Sequence, residues 1–455
     1  MSTIAAISTA PGNAGIGIIR LSGEKCFEII EKIFVPKKKS PVVGYSMKYG
    51  KIINSQTKEV IDEVLVSYFV APKSYTTENM CEINSHGGTI IEHKILEECL
   101  KNGAVLAEPG EFTKRAFLNG RIDLSQAEAV IDVINAKTDK EARVAERQLE
   151  GSLSRNIKKI QDEILDLMAD IEASIDYPEY DIEETTNKKI ENVMQDVKIK
   201  LEKLEESFRN GKIIKEGIRT AIVGKPNVGK SSLLNLMLGE NRAIVSNVEG
   251  TTRDTIEEYI NIKGVPLKII DTAGIRKTND EVEKIGVEKS LNISNAAELI
   301  IAVFDDSREF DEEDKKIVEL IKNKQAIILI NKTDMNKKLI INNEEIKNLN
   351  KDIIEFSTIE EKGLDELYNT IENMFKLNQI DSDNSEIITN ERQKQHILKA
   401  IEAEKKAMKS AKANMPSDIT AIAIKQILEE LAEITGQSAS EDIINEIFKK
   451  FCLGK

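Results

Sequence analysis

A glycine-rich octapeptide at residues 224–231 carries the clearest chemistry in this sequence. Gly224 and Gly229 frame it, and Lys230 and Ser231 follow directly. Glycines let backbone N–H groups turn toward one centre and hold phosphate oxygens, and a following helix adds the positive end of its dipole. Lys230 would reach the β- and γ-phosphates of a nucleotide, and the Ser231 hydroxyl would hold Mg²⁺. The spacing therefore predicts a P-loop.

Such a loop needs a strand before it and a helix after it. The apolar run Ile218–Val223 predicts the strand, and the pattern of residues 231–238 predicts the helix. Because both flanks have the required pattern, the octapeptide is more than a glycine-rich turn with a chance lysine.

Two further motifs predict the metal side of the same site. Residues 250–254 (Gly-Thr-Thr-Arg-Asp) are typical of a switch I loop, in which Thr252 would be the second Mg²⁺ ligand. Residues 271–274 (Asp-Thr-Ala-Gly) follow the apolar stretch 267–270, so Asp271 lies where a metal-side carboxylate is needed.

Residues 331–334 (Asn-Lys-Thr-Asp), after the apolar stretch 326–330, predict base recognition. Asp334 can accept hydrogen bonds from the N1–H and N2 amino groups of guanine, which adenine lacks. A carboxylate there would reject adenine by roughly 10⁴-fold. Ser357 and Thr358, after a strand predicted at 353–356, would support the base from behind. In this order the motifs resemble the translation-factor-related class of GTPases.

One position departs from the Ras-type pattern. Ile275 stands where Ras-type enzymes carry the glutamine that orients the attacking water. Isoleucine cannot hydrogen-bond to water, so another group must orient it or hydrolysis is very slow.

Composition limits the remaining possibilities. The 455 residues suggest two to four domains, and a net charge of −14 argues against binding nucleic acid through bulk charge. No apolar stretch approaches the length of a membrane-spanning helix, and the N-terminus lacks the pattern of a signal peptide. The four scattered cysteines suit a reducing cytoplasm and predict no zinc site.

The N-terminal part, residues 1–120, has a mixed α and β pattern. Strands are predicted at 16–21 and 60–70, and helices at 25–34 and 90–102.

Amphipathic helical patterns dominate from residue 123 to 175, at 188–208 and again at 392–408 and 417–434. Polar segments at 209–217 and 378–385 are candidate linkers. We therefore expect a GTPase domain of the Ras-like α/β type inserted into an α-helical domain, after an α+β N-terminal domain. The expected boundaries are 1–120 for the N-terminal domain, 121–216 with 379–455 for the helical domain, and 217–378 for the GTPase domain. Two separate helical bundles are the competing arrangement.

Several other stretches resemble one family. They are residues 10–20, 81–88, 109–121, 123–129 and the C-terminal Cys-Leu-Gly-Lys of 452–455. With the GTPase motifs, they resemble the MnmE (TrmE) family of tRNA wobble-uridine modification GTPases along essentially the full chain.

The resemblance implies a folate site in the N-terminal domain, for a 5-formyl or 5,10-methylene derivative of tetrahydrofolate. By motif match the ligand would contact Arg20, Glu82, Arg121 and Lys455. The family often has lysine at the Arg121 position, so the charge is kept while the contact geometry can differ. Cys452 matches a cysteine that the family requires for function, and is a candidate catalytic residue.

The resemblance also answers the missing glutamine. In this family two GTPase domains meet across the nucleotide and bind K⁺ where other GTPases insert an arginine finger. Asn227, the backbone carbonyls of Ser246 and Val248, and Thr251 would be the K⁺ ligands. Glu283 would position the water, and Lys230 would act on the phosphates. The full set of predicted nucleotide contacts is Asn227, Val228, Gly229, Lys230, Ser231, Ser232, Ser246, Thr251, Thr252, Asp271, Thr272, Ala273, Gly274, Asn331, Lys332, Asp334, Ser357 and Thr358.

The implied function is K⁺-dependent GTP hydrolysis by a cytoplasmic homodimer. With an FAD-dependent MnmG-like protein it would form a heterotetramer that modifies C5 of uridine 34 in certain tRNAs; FAD would bind only the partner. Two rivals have weaker support. A ribosome-assembly GTPase usually carries a KH module or a second GTPase domain, and a dynamin-like membrane scaffold needs a lipid-binding stretch; the sequence shows neither pattern.

Overall fold

The computed structural model describes residues 1–176, 183–241, 258–270, 296–335, 346, 348–375 and 387–455. These residues form two compact units. The first comprises Met1–Ile131, Gln148–Gln195 and Lys399–Lys455, and the second comprises Asp132–Arg147 and Asp196–Leu398.

A seven-stranded sheet forms the N-terminal part of the first unit. Its strands are β1 (Ile4–Ile7), β2 (Gly17–Ser22), β3 (Phe34–Pro36), β4 (Ser46–Ile53), β5 (Val60–Phe69), β6 (Met80–Ser85) and β7 (Val105–Leu106). They lie in the order β3-β4-β5-β6-β2-β1-β7, and only the β1–β7 pair is parallel. Helices α1 (Cys26–Ile33), α2 (Thr89–Lys101) and α3 (Glu111–Leu118) accompany the sheet. The predicted strands at 16–21 and 60–70 and helices at 25–34 and 90–102 match β2, β5, α1 and α2 within two residues.

The face of this sheet that α1 and α2 cover forms the core of the N-terminal part. Ile29, Ile30 and Ile33 of α1 are buried at helical spacing, and Ile95 and Cys99 of α2 join the same cluster. This spacing puts one apolar stripe of each helix on the sheet, which is what the sequence period predicts.

Long helices follow along the chain. They are α4 (Leu124–Asn135), α5 (Asp139–Leu149), α6 (Ser152–Asp176), α7 (Glu183–Glu216) and, after the GTPase segment, α11 (Glu391–Lys412), α12 (Ser417–Thr435) and α13 (Glu441–Phe448). In the first unit α12 packs against α6. Helices from before and after the GTPase segment thus pack together, and the alternative of two separate bundles is wrong.

The GTPase segment forms a six-stranded sheet in the second unit. Its strands are β8 (Ile218–Val223), β9 (Glu258–Ile262), β10 (Val265–Ile269), β11 (Leu299–Asp305), β12 (Ala326–Asn331) and β13 (Asp352–Glu355). The order is β13-β12-β11-β8-β10-β9, and β9 alone is antiparallel. Its helices in the described part are α8 (Lys230–Asn241), α9 (Glu312–Ile321) and α10 (Leu364–Met374). Every residue of β11 and β12 is buried, as expected for parallel strands covered on both faces.

The linker predicted at residues 209–217 is wrong, because α7 continues through it to Glu216. Ile214 is fully buried in the GTPase core, and Gly211 lies so close to Ile388 that a Cβ would meet its carbonyl oxygen at 2.1 Å. Tertiary packing therefore outweighs a locally polar, glycine-containing sequence. The second predicted linker, 378–385, lies outside the described residues.

Candidate functional site

Strand β8 ends at Val223 and α8 begins at Lys230, so the octapeptide spans the turn between them. Gly229 has φ 104°, and a Cβ there would lie 2.2 Å from the side-chain nitrogen of Asn331. Asn227 has φ 63° and an exposed side chain. Asparagine is one of the few residues with a side chain that adopts this left-handed backbone readily. The turn therefore needs a glycine at 229, where the Asn331 side chain lies against it, and it leaves the Asn227 side chain exposed.

The Lys230 ammonium lies over this turn. Its Nζ donates to the carbonyl oxygens of Gly224 and Lys225, both at 2.7 Å. Ser231 and Ser232 occupy the first turn of α8, next to the positive end of its dipole. A cation, backbone N–H groups and hydroxyls thus converge where a polyphosphate would bind.

Asn331, at the end of β12, connects two loops of the site. Its Nδ2 donates to the Val228 carbonyl at 2.8 Å, and its Oδ1 accepts from the backbone N–H of Thr358 at 3.3 Å. Asn331 is 1% exposed. Its role in this structure is to hold the P-loop against the loop of Ser357 and Thr358.

Asp334 lies at the exposed side of the same motif. The buried Ser357 donates through its Oγ to Asp334 Oδ1 at 2.8 Å. This contact orients the carboxylate, which is the group expected to accept the guanine N–H groups. The sequence placed Ser357 behind the base, and the structure places it behind Asp334.

Lys332 forms an ion pair that sequence reasoning missed. Its Nζ lies 2.7 Å from Asp305 Oδ2, whose side chain is buried at the end of β11. Burial alone would raise the pKa of Asp305, but hydrogen bonds from Lys332 and Ser307 outweigh it and hold that pKa below its usual value. A signal existed, since Asp305 directly follows an apolar run at 299–304 and pairs in register with Asn331.

Nine of the predicted site residues lie outside the described residues. They are Ser246, Val248, Thr251, Thr252, Asp271, Thr272, Ala273, Gly274 and Glu283. Ile275 lies there as well.

In the first unit, the register of β2 and β6 places Arg20 opposite Glu82. The Arg20 Nε and NH2 atoms lie 3.0 and 2.8 Å from Glu82 Oε1. The pair belongs to the sheet face opposite α1 and α2, and both side chains remain partly exposed. A ligand can therefore reach both charges.

Tyr75 lies between the two arginines of the predicted folate site. The guanidinium carbons of Arg20 and Arg121 lie 5.7 and 4.7 Å from its ring centroid, and Arg121 also donates to its carbonyl oxygen at 3.2 Å. The Tyr75 hydroxyl is 2.9 Å from the hydroxyl of Thr113. Nothing in the sequence pattern marks Tyr75, because only tertiary contacts bring it to the arginines.

The C-terminal tail packs beside this pair. The Gly454 carbonyl accepts from the Ser8 hydroxyl at 3.0 Å and from Arg20 NH1 at 3.2 Å. The N–H groups of Gly110 and Phe112, at the start of α3, donate to the carbonyls of Cys452 and Lys455. The exposed Cys452 therefore lies two residues before the glycine that contacts Arg20. Gly454 has φ 83°, and a Cβ there would meet the Ile7 carbonyl at 2.4 Å, so the tail can pack in this position only with glycine at 454.

The cluster fits a folate chemically. Two guanidinium groups, from Arg20 and Arg121, suit the carboxylates of a glutamate tail, and the Glu82 carboxylate suits the N–H groups of a pterin. The aromatic ring of Tyr75 adds a flat surface between them.

Among the described residues, no helix is both long and apolar enough to span a bilayer.

The comparisons with known proteins cover the whole chain. The family described as "MnmE helical domain" matches residues 124–452, and the one described as "GTP-binding protein TrmE N-terminus" matches residues 3–121. The tRNA modification GTPase MnmE of Thermoanaerobacter sp. (strain X514) is 51% identical over 458 residues, which cover 100% of this chain and 99% of the relative. The protein of the same name from Clostridioides difficile (strain 630) is 49% identical over 460 residues, with the same coverage.

Solved structures are similar to part of the chain. The G domain of the T. maritima FeoB iron transporter is 28% identical over 35% of this chain and 98% of its own, with a TM-score of 0.26. Aquifex aeolicus Era bound to GDP and AlF4⁻ is 28% identical over 42% of this chain and 66% of its own, with a TM-score of 0.25. Family matches that together span almost the whole sequence, and relatives about half identical along their full length, show that the chain belongs to the MnmE family of tRNA modification GTPases.

Proposed function

We propose that this tRNA modification GTPase hydrolyses GTP with the help of K⁺ as a homodimer in the cytoplasm. Ile275 cannot orient a water, and the arginine finger of other GTPases is worth roughly 10³–10⁵ in rate, so a replacement positive charge is needed. When bound, K⁺ would supply that charge beside the β–γ bridging oxygen. Asn227, Ser246, Val248 and Thr251 would hold it.

The observation that carries this proposal is the conformation of Asn227. Its left-handed backbone and exposed side chain present an amide oxygen at the turn that precedes Lys230. Oxygen is the ligand that a hard monovalent cation needs. Lys230 and Ser231 would bind the phosphates and Mg²⁺, together with Thr252 and Asp271. Glu283 would orient the water through a second water.

The test compares GTP turnover in KCl and in NaCl at equal ionic strength. We expect much faster turnover in KCl for the native protein. The matched variant is Asn227→Gly, because glycine keeps the left-handed backbone and removes the side chain with its oxygen. This variant should lose the K⁺ stimulation and keep its affinity for GDP. Equal native rates in the two salts, or full stimulation in Asn227→Gly, would contradict the proposal.

We further propose that the N-terminal domain binds a tetrahydrofolate derivative that supplies a one-carbon unit. Arg20, Glu82, Arg121 and Lys455 would bind it, and Tyr75 would lie between the arginines. The position of the C-terminal tail supports this assignment, because Gly454 contacts Arg20 directly. The tail would also hold Cys452 near the ligand as a functional thiol.

The homodimer would form through the N-terminal domain. Met47, Tyr49 and Leu65 lie 60%, 42% and 40% exposed on β4 and β5, and a second copy would cover them. An FAD-dependent MnmG-like protein would complete a heterotetramer that modifies C5 of uridine 34 in certain tRNAs with an aminomethyl or carboxymethylaminomethyl group. Mass spectrometry of tRNA nucleosides from cells lacking this chain tests that role. An unchanged nucleoside profile would contradict it.

We also propose boundaries for three domains. We place the N-terminal domain at residues 1–120, the helical domain at 121–216 with 379–455, and the GTPase domain at 217–378.

A further inference from the structure

Lys225, the second residue of the P-loop, is buried. It is 8% exposed, and its Nζ lies 2.6 Å from Asp314 Oδ2 and 2.9 Å from Asp311 Oδ2. Burial opposes the charge of Lys225, yet the hydrogen bonds to the two carboxylates outweigh that effect and raise its pKa above the ordinary value. The lysine is therefore a cation anchored on the start of α9.

The carboxylates of Asp311 and Asp314 also cap the N-terminus of α9. Asp311 is the N-cap of α9 and accepts from the N–H groups of Glu313 and Asp314, at 2.9 and 3.2 Å. Asp314 Oδ2 accepts in turn from the N–H of Asp311 at 3.1 Å, which completes a capping box. Because this same Asp314 oxygen receives Lys225, the P-loop is attached to a rigid helix end. The Asp314 side chain is only 3% exposed, so loss of Lys225 would leave a buried carboxylate without its cation.

The backbone of Lys225 contacts the other lysine of the loop. Its carbonyl oxygen, with that of Gly224, accepts from Lys230 Nζ at 2.7 Å. This carbonyl carbon is bonded to the Cα that carries the anchored side chain, so the ion pairs limit how far the carbonyl can move. The contact at the helix end thus restricts the atom that receives the Lys230 ammonium.

We propose that Lys225 is a positioning residue for GTP hydrolysis, which acts by anchoring the P-loop to Asp311 and Asp314 so that the Lys225 carbonyl holds Lys230 in place. Lys225 itself does not touch the nucleotide. The proposal rests on the assignment of Lys230 as the phosphate-binding lysine. Placement errors of about 1 Å at reacting groups can cost on the order of 10²-fold in rate.

The test measures turnover per nucleotide-bound site in the full-length protein, in KCl. Stoichiometric GDP binding counts the sites, so a loss of folded protein changes the count and not the turnover per site. For Lys225→Met we expect kcat per site to fall about 10- to 100-fold, with a smaller change in KM for GTP. Lys225→Arg keeps the cation and should restore most of kcat.

The matched control is Lys315→Met. Lys315 lies on the same helix and pairs with the exposed Glu312 at 2.7 Å, so its removal should leave kcat unchanged. Lys230→Ala separates the two assignments, because it should abolish hydrolysis. Native turnover in Lys230→Ala would overturn the role of Lys230, whatever the Lys225 variants show.

A second pair of variants covers the case in which Lys225→Met does not fold. Asp311→Asn keeps an N-cap residue and removes one anionic partner, so kcat should fall by a few-fold. Where Lys225→Met folds, adding Asp311→Asn to it should cause no further loss in kcat, because the two residues act through one contact. Unchanged kcat in Lys225→Met, or in Asp311→Asn if that is the variant that folds, would overturn the proposal. Failure of arginine to rescue a slow Lys225→Met would overturn it as well.

Discussion

The side-chain amide of Asn331 donates to the backbone carbonyl of Val228 at 2.8 Å, and this contact ties the base-recognition motif to the P-loop. The two residues are 103 positions apart in sequence. The asparagine of the Asn-Lys-Thr-Asp motif thus supports the phosphate side of the site, while Asp334 remains on the exposed side.

Asn331→Asp should weaken the binding of both GTP and GDP about 10-fold. A carboxylate cannot donate to the Val228 carbonyl, and a buried acceptor left without its donor costs roughly 1–3 kcal/mol. Titration with a fluorescent GDP analogue measures the change. The exposed Asn348→Asp is the control, since it adds the same charge elsewhere in this domain. Equal affinities for the two variants would contradict the bracing role of Asn331.

Asp334→Asn should shift nucleotide preference from GTP toward xanthosine triphosphate. The substitution replaces the acceptor for the guanine N–H groups by a group that can donate. Competition between the two nucleotides, followed by turnover, measures the shift. Ser357→Ala, which removes only the hydroxyl that orients Asp334 at 2.8 Å, should weaken GTP without any such shift. Unaltered GTP selectivity in Asp334→Asn would count against guanine recognition by this carboxylate.

Arg20→Ala should lose affinity for 5-formyltetrahydrofolate by at least about 10-fold in calorimetry, while the GTPase rate stays intact. Arg20→Lys keeps the charge and loses the planar fork that contacts both Glu82 and Gly454, so it should bind at an intermediate level. Loss of both folate binding and GTP turnover in Arg20→Ala would indicate misfolding. Full folate affinity in that variant would refute the site.

Glu141 should make the free energy of unfolding fall as pH rises from 4.5 to about 7. Burial is the main cause that raises its pKa to about 7 from the model-compound value of 4.5. Between pH 4.5 and about 7 the Glu141 carboxyl keeps its proton in the folded state and loses it in the unfolded state. The free energy of unfolding is therefore highest below the unfolded-state pKa of 4.5 and decreases until the pH passes the folded-state pKa of about 7. The full loss is on the order of 3 kcal/mol.

Urea unfolding of the native protein and Glu141→Gln at several pH values checks this expectation. Glu141→Gln should remove most of the slope, because glutamine has no proton to lose, and Glu146→Gln, exposed on the same helix, should keep it. His86, whose pKa is raised by the hydrogen bond that it donates to the Asp62 carboxylate, remains in all three proteins as a common background. Identical slopes in the native protein and Glu141→Gln would disprove the assignment.

The sequence alone determined the phosphate side of the site. Gly224, Gly229, Lys230 and Ser231 lie within one octapeptide, so their chemistry follows from local backbone geometry and from the strand and helix patterns that flank them. Strand β12 was predictable because it is buried along its length and its residues 326–330 form a continuous apolar run. The helical period equally predicted α1 and α2.

Tertiary structure decided which residues far apart in sequence contact each other. Lys225 donates a hydrogen bond to Asp314, which is 89 residues away in sequence, and Arg20 donates one to Gly454, which is 434 residues away. No local period encodes the packing that brings them together. The same holds for Tyr75 between two arginines, and for α7, which continues through a polar segment because Ile214 is buried in the GTPase core. Spacing specifies the groups that bind a phosphate, whereas the folded chain specifies which distant side chains hold those groups in position, since long-range contacts depend on how whole elements pack.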